Sequence, residues 1–179
     1  MGKKRLERAI KQTNSADSIK LAYAPHLLYP DIPLEGKKTS DFPRKHGMGG
    51  LLHEAGQDVG ITFDFKSIKT VPNTLQLHYI LANLKDDQAA MQVKEAMFIA
   101  YSTQGKDLSD KEVVEQLVSE QGFKANWTSN ALVDDCLTAN KNKGISVVPT
   151  FIINDEHNIS GAQESTRWEK FILRLLSKS

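Results

Sequence analysis

Between Gly144 and Gln163 the chain reads Gly-Ile-Ser-Val-Val-Pro-Thr-Phe-Ile-Ile-Asn, then a polar turn, then Ser160-Gly161-Ala162-Gln163. Val147, Val148, Phe151, Ile152 and Ile153 form a β-branched and aromatic run that predicts a short buried strand. A proline interrupts it. Pro149 has no N–H to give to a ladder, so it must open the strand rather than lie within it. The residue before it, Val148, is driven to extended geometry. A trans Val148–Pro149 bond makes this an ordinary loop-to-strand junction, which spacing alone favours because only about one X–Pro bond in twenty is cis. A cis bond would leave the backbone N–H and C=O of Val148 unpaired, an edge that can hold an extended peptide by main-chain hydrogen bonds.

A chain of 179 residues can bury one good core, or form a small domain that carries an insertion. Its 23 Lys and Arg offset 22 Asp and Glu, so no global charge points to nucleic acid or to an anionic membrane. Neither is expected as a partner. No apolar run approaches the ~20 residues of a membrane span, and Gly2-Lys3-Lys4-Arg5 leads into a charged helix rather than the apolar core of an export signal. The expected compartment is cytoplasmic. A single cysteine, Cys136, agrees with a reducing environment and rules out both an internal disulfide and a two-cysteine site within these residues.

Residues 3–13 predict a helix with Leu6, Ala9, Ile10 and Thr13 on one side. Lys3, Lys4 and Arg5 stand at its positive end, where acids are preferred, and no capping residue precedes them. Either the helix starts further upstream, or exposed cations are simply tolerated there. After a turn at Asn14–Asp17, the alternation from Ile19 to Tyr23 predicts a strand. Five Pro and Gly residues make 24–43 a loop. A helix is expected from Leu51 through Ala55 and Val59 to Gly60, and a brief extended piece at Ile61–Phe65. Gly47, Gly49 and Gly50 lack the strand and lysine of a phosphate loop.

Four further helices follow from the apolar periodicity. The first, capped by Asn73 or Thr74, carries Leu77, Ile80, Leu81 and Leu84; the second, over 88–104, carries Val93, Met97, Ala100 and Tyr101. A Ser109/Glu112 capping box opens the third, which Gly122 ends. The fourth, over 130–143, is expected to bury Leu132, Val133, Cys136 and Leu137 before Gly144 stops it. A strand at Thr150–Asn154, a turn at Asp155–Asn158, a short strand at Ile159 and a helix through Trp168, Phe171, Ile172 and Leu175 close the chain. The order predicts a small α/β domain, 1–43 with 143–179, interrupted by a helical insertion, 44–142.

Several pieces taken together resemble the DsbA-like thioredoxin-fold proteins, nearest the FrnE branch, with 2-hydroxychromene-2-carboxylate isomerases and kappa-class glutathione transferases as relatives. They are Gly2 to Glu7, Leu27-Leu28-Tyr29-Pro30 with Pro33-Glu35-Gly36, Asn73-Thr74 before Leu77-His78, Phe98 to Tyr101, Gly144 to Phe151, and Ser160 to Gln163. The resemblance spans essentially the whole chain and implies a thioredoxin-like fold with a large helical insertion. It implies a cis Pro149 ahead of a core strand, with the Val148 backbone, Pro149 and Thr150 holding a substrate peptide or glutathione. Ala162 and Gln163, at the N-terminus of the last helix, would approach a glutathione carboxylate, although they depart from the acidic and basic pair of the kappa-class relatives. Asn73 and His78 would line the cleft. Family members carry a strand and a C-x-x-C loop just before the segment matching Gly2 to Glu7; that first strand and its nucleophile are missing from the chain as given. The expectations are a start that lies further upstream, a partner chain or second copy filling the strand's slot, or a rearranged sheet.

The residues themselves suggest plainer roles beside these. Cys136 lies on an apolar helix side and reads as a small core hydrophobe. Asn73 and Thr74 cap a helix, and His78 is equally a buried structural histidine. His26, His46, His53, His78 and His157 show no metal-ligand spacing, so no metal site is expected. The resemblance implies thiol–disulfide oxidoreductase activity on protein thiols or disulfides, inactive within these residues because no C-x-x-C is present and no catalytic residue can be named. The alternatives are a glutathione-dependent isomerase or transferase, glutathione being the one cofactor implied, and a non-catalytic peptide-binding protein.

Overall fold

The computed structural model describes residues 1–42 and 54–177. Helix α1 (Gly2–Gln12) leads through a short turn at Ala16–Ser18 into the irregular segment 19–27, and a two-residue ladder joins β1 (Lys37–Lys38) to β2 (Thr70–Val71). Helices α2 (Leu75–Ala82), α3 (Asp87–Ser102), α4 (Lys111–Glu120) and α5 (Ala131–Asn142) follow. Strands β3 (Thr150–Ile153) and β4 (His157–Ser160) and helix α6 (Ser165–Leu176) complete the chain. β3 and β4 pair antiparallel with Thr150 opposite Ser160 and Ile153 opposite His157. Asn154 and Asp155 make the turn between them at φ of 52° and 57°. This left-handed pair ends β3 one residue sooner than its composition predicts and lets β4 start at His157, inside the expected turn.

Two buried clusters account for most of the packing. Leu6 and Ala9 of α1 meet Trp168 and Ile172 of α6, with Ile19, Phe151, Ile153 and Ile159 against them. The Phe151 ring stands edge-on to Trp168 at 4.7 Å. Leu77, Ile80, Val93, Met97, Ala100, Leu108, Val114, Leu117 and Val118 build the second cluster from α2, α3, α4 and the turn before α4. Each such aliphatic side chain contributes roughly 1.5–3 kcal/mol on burial.

Several expectations need correction. Ile19–Tyr23 is not a strand: Ile19 is extended at φ −126° and ψ 118°, yet the segment pairs with nothing among the described residues, and Leu21 and Tyr23 are exposed. Alternation reports a face, whereas a strand needs a ladder partner. β1 falls inside the expected loop because two exposed lysines carry no readable alternation. Ile61–Phe65 forms no strand; Phe63 and Phe65 stack on each other at 5.2 Å. Helix α4 is capped by Asp110, whose carboxylate accepts from the N–H groups of Glu112 and Val113, while Ser109 is committed to Asp107. In α5, Val133 and Asn140 face inward and Cys136 and Leu137 are half-buried, but Leu132 is 78% exposed. Adjacent helical positions lie ~100° apart, so Val133 and Leu132 cannot share one narrow face. The start of the expected 51–60 helix, Gly47, Gly49, Gly50, His46 and His53 lie outside the described residues.

Candidate functional site

The N-terminal turn of α1, the start of β3 and the loop after β4 converge on Pro149. A Cβ built on Gly2 would stand 2.7 Å from Cγ of Pro149 and 3.5 Å from both Cβ of Ala162 and the tip of Phe151, so only glycine lets the three elements close. The Gly161 N–H donates to the Pro149 carbonyl at 2.8 Å. Gly161 accomplishes the turn out of β4 at φ 85°, where a Cβ would be strained. Thr150 Oγ1 donates to the Val147 carbonyl at 2.6 Å and lies 3.2 Å from Ser160 Oγ, fastening the segment before Pro149 to the hairpin. The Val148–Pro149 bond is cis.

What this arrangement leaves outside the ladder is the Val147–Val148 segment. Val147 and Val148 are 50% and 45% exposed, and the β3–β4 ladder begins only at Thr150, so neither contributes a hydrogen bond to it. Among the described residues β3 pairs with β4 alone, leaving its other edge open.

Arg5 supports the site from beneath. It is buried, with Nη1 2.7 Å from a Glu164 carboxylate oxygen and 3.4 Å from the Ala162 carbonyl. Its Nε lies 3.4 Å from Asp58, but without the alignment of a hydrogen bond. Lys3 pairs with Glu7 and Glu95. The cations at the start of α1 are therefore not merely tolerated. Acids from α3, from the segment before α6 and from Asp58 offset two of them, which no local reading of the helix could show.

The remaining site residues divide. Gln163 does not present a free amide: Nε2 donates to the Ser160 and Gly161 carbonyls at 2.8 and 3.3 Å, and Oε1 accepts from Arg167. Helix α6 begins at Ser165, after a Glu164 cap whose side chain is turned to Arg5 instead of the helix N–H groups. Asn73 accepts from the Leu75 N–H at 2.9 Å and donates to the Ile32 carbonyl; His78 Nε2 lies 3.3 Å from the His26 carbonyl. With Asn140, whose Nδ2 donates to the Pro25 carbonyl at 2.9 Å, they moor the 25–32 segment to the helices. Burial lowers the His78 pKa against the opposing hydrogen bond to His26. Thr74 precedes α2 without a side-chain capping bond.

Beside α1, Lys94 of α3 is held with Nζ 3.1 Å from the centre of the Tyr23 ring. Burial, with Lys3 close by, pushes its pKa down from the ordinary 10.5 to about 8. Nothing in the sequence marked Lys94. The only sulfur nucleophile type in the chain, Cys136, is half-buried on α5 with Asn140 Nδ2 3.7 Å from its sulfur. Among the described residues no group of three or more His, Cys, Asp or Glu is placed to hold a metal ion, and no helix is long and apolar enough to cross a membrane.

A proline-led strand in a hairpin, packed with a terminal helix against an N-terminal helix and separated from it in sequence by a block of helices, defines a thioredoxin-like α/β fold of the DsbA type. A model of the DSBA-like thioredoxin domain matches residues 1–172, and the chain belongs to that family. Among solved structures it is similar to a probable DsbA oxidoreductase from Streptomyces coelicolor, with a TM-score of 0.85 and 16% identity over 99% of this chain and 84% of that one. It is also similar to a candidate protein disulfide isomerase from Nitrosomonas europaea, with a TM-score of 0.65 and 12% identity over 99% and 92% of the two chains. Among curated proteins none matches. At these identities the structural likeness speaks for the fold.

Proposed function

We propose that this protein acts in thiol–disulfide exchange on protein substrates, as an oxidoreductase of the FrnE branch, and that the residues around Pro149 hold the substrate's backbone. The observation that carries this reading is the exposed Val147–Val148 segment, outside the β3–β4 ladder and fastened by Thr150 and Gly161 beside the first turn of α1. An extended peptide laid there pairs with main chain, which suits substrates of varied sequence. In such exchange a thiolate attacks one sulfur of a disulfide, releases the other as a thiolate, and a second thiol resolves the mixed disulfide. With one cysteine among 179 residues, these residues by themselves hold no such pair. Their part is to position.

Peptide holding without chemistry is the second reading, and the single cysteine favours it. A glutathione-dependent reaction is less well supported, because the Gln163 amide is spent on its own loop. The open edge of β3 suits an extended segment from a partner or a second copy, and the unpaired Cys136 accords with a reducing, cytoplasmic setting.

The test pairs activity with binding. The 179-residue chain should not accelerate insulin reduction by dithiothreitol, yet should bind fluorescent, S-alkylated insulin B chain. Val148→Pro, which removes an N–H, should weaken that binding about tenfold, the loss of one well-made hydrogen bond. Equal binding by the two chains would sink the substrate-holding role.

A further inference from the structure

The outer side of the hairpin forms, with α6, a second cleft of about 490 Å³ that the Pro149 site does not use. Three cations, Arg167, Lys170 and Arg174, and one carboxylate, Glu156, line it. Positions 167, 170 and 174 follow the helical repeat, so the cations form one stripe spanning roughly 10 Å of the α6 axis. Among the described residues none of the three has a carboxylate partner, whereas Lys3, Arg5, Arg8, Lys85 and Lys111 do.

A basic helix face is commonly just solvated, but two features separate this one. The Arg167 guanidinium is fixed: Nη1 donates to Gln163 Oε1 at 2.7 Å, and the Gln163 amide is fixed in turn by the Ser160 and Gly161 carbonyls. That leaves the other N–H groups of Arg167 already oriented, lowering the entropy lost when a ligand binds. Between the cations the wall is aromatic. Phe171 lies edge-on to His157 at 5.5 Å, over the buried Trp168.

We propose that this cleft binds a compact polyanion carrying two or more phosphate groups, one on Arg167 and another toward Arg174, with Lys170 between. Arginine presents a planar fork that matches a phosphate with paired hydrogen bonds, and lysine supplies a point charge. Gln163 thereby serves as a brace, orienting Arg167 from a loop that also carries the Gly161 bond to Pro149.

Titration of the 179-residue chain with sodium tripolyphosphate, by calorimetry and by amide chemical shifts, tests the proposal. One equivalent should bind at low salt, with shifts concentrated between Glu156 and Arg174. The double variant Arg167→Gln/Arg174→Gln, at two exposed positions, should bind about tenfold or more weakly. Lys124→Gln, which removes an exposed charge elsewhere, should stay within about twofold. Near-ultraviolet circular dichroism checks that the variants are folded, and the single Arg variants replace the double one if it is not. Wild-type affinity in the folded Arg variants overturns the proposal. So does an equal loss in Lys124→Gln, shifts centred away from α6 and β4, or citrate binding as tightly as tripolyphosphate.

Discussion

Gly2 and Pro149 touch so closely that a Cβ on Gly2 would stand 2.7 Å from the proline Cγ. The first turn of α1 therefore lies directly on the start of β3, and Arg5, one turn further on, reaches the Ala162 carbonyl and the Glu164 carboxylate on the far side of the same junction.

Gly2→Ala tests that contact. Alanine favours the helix by roughly 0.5–1 kcal/mol, while the forced shift of Pro149 costs about 1–3 kcal/mol. A net loss of about 1 kcal/mol in urea unfolding is expected, together with weaker binding of alkylated insulin B chain. Unchanged binding would show that Pro149 moves aside without consequence for the edge.

Arg5→Ala should be the more damaging change. It empties a buried position and strips Glu164 of its cation, while Asp58 keeps Arg8, an expected loss of roughly 2–4 kcal/mol. Glu164→Gln should cost far less, since the Glu164 side chain is 66% exposed and water screens it. Equal losses in the two variants would place the energy in the ion pair instead of in the buried stem and its hydrogen bonds.

His78 predicts a pH dependence. Burial holds its folded pKa below the ordinary histidine value of 6.5, so the unfolded chain takes up a proton more readily. Its contribution is fully present above pH 6.5 and is lost as pH falls from there toward the folded pKa. Urea midpoints should drop on acidification below 6.5, and His78→Gln should flatten that part of the profile. A wild-type slope in the variant would assign the effect elsewhere.

Lys94 should be the lysine that amine reagents find first. With its pKa at about 8, half of it is neutral at that pH, where an ordinary lysine at 10.5 is almost wholly protonated. Brief acetylation near pH 8, read by peptide mass spectrometry, should mark Lys94 ahead of Lys4 or Lys124, and Tyr23→Ala, by opening the site to water, should reduce that preference.

Gly36→Ala should loosen the β1–β2 ladder. Gly36 sits at φ 81°, and a Cβ there would press on Ser109 and stand 2.6 Å from Cγ2 of Thr70. The combined strain and clash predict a loss of about 2 kcal/mol or more, measurable as faster hydrogen exchange at Thr39, whose N–H donates to the Lys69 carbonyl, and at Val71.

Local chemistry was enough for much of this architecture. The apolar repeats at Leu77 and Ile80, Val93 and Met97, and Val114 and Leu117 determined α2, α3 and α4, and Gly122 and Gly144 closed their helices at φ of 84° and 69°. Pro149 marked the opening of β3. These signals lie within a few residues of what they specify, so they are readable one residue after another. The tertiary structure decided the rest. Ile19–Tyr23 alternates like a strand but has no ladder partner, Leu132 is apolar yet faces water, and Gln163 looks available until Ser160, Gly161 and Arg167 occupy it. Arg5 looked like a misplaced charge on α1 until Glu164 and Asp58, far along the chain, came within 2.7 and 3.4 Å of it. Hydrogen bonds and ion pairs of this kind depend on distance in space, and separation along the chain does not encode it.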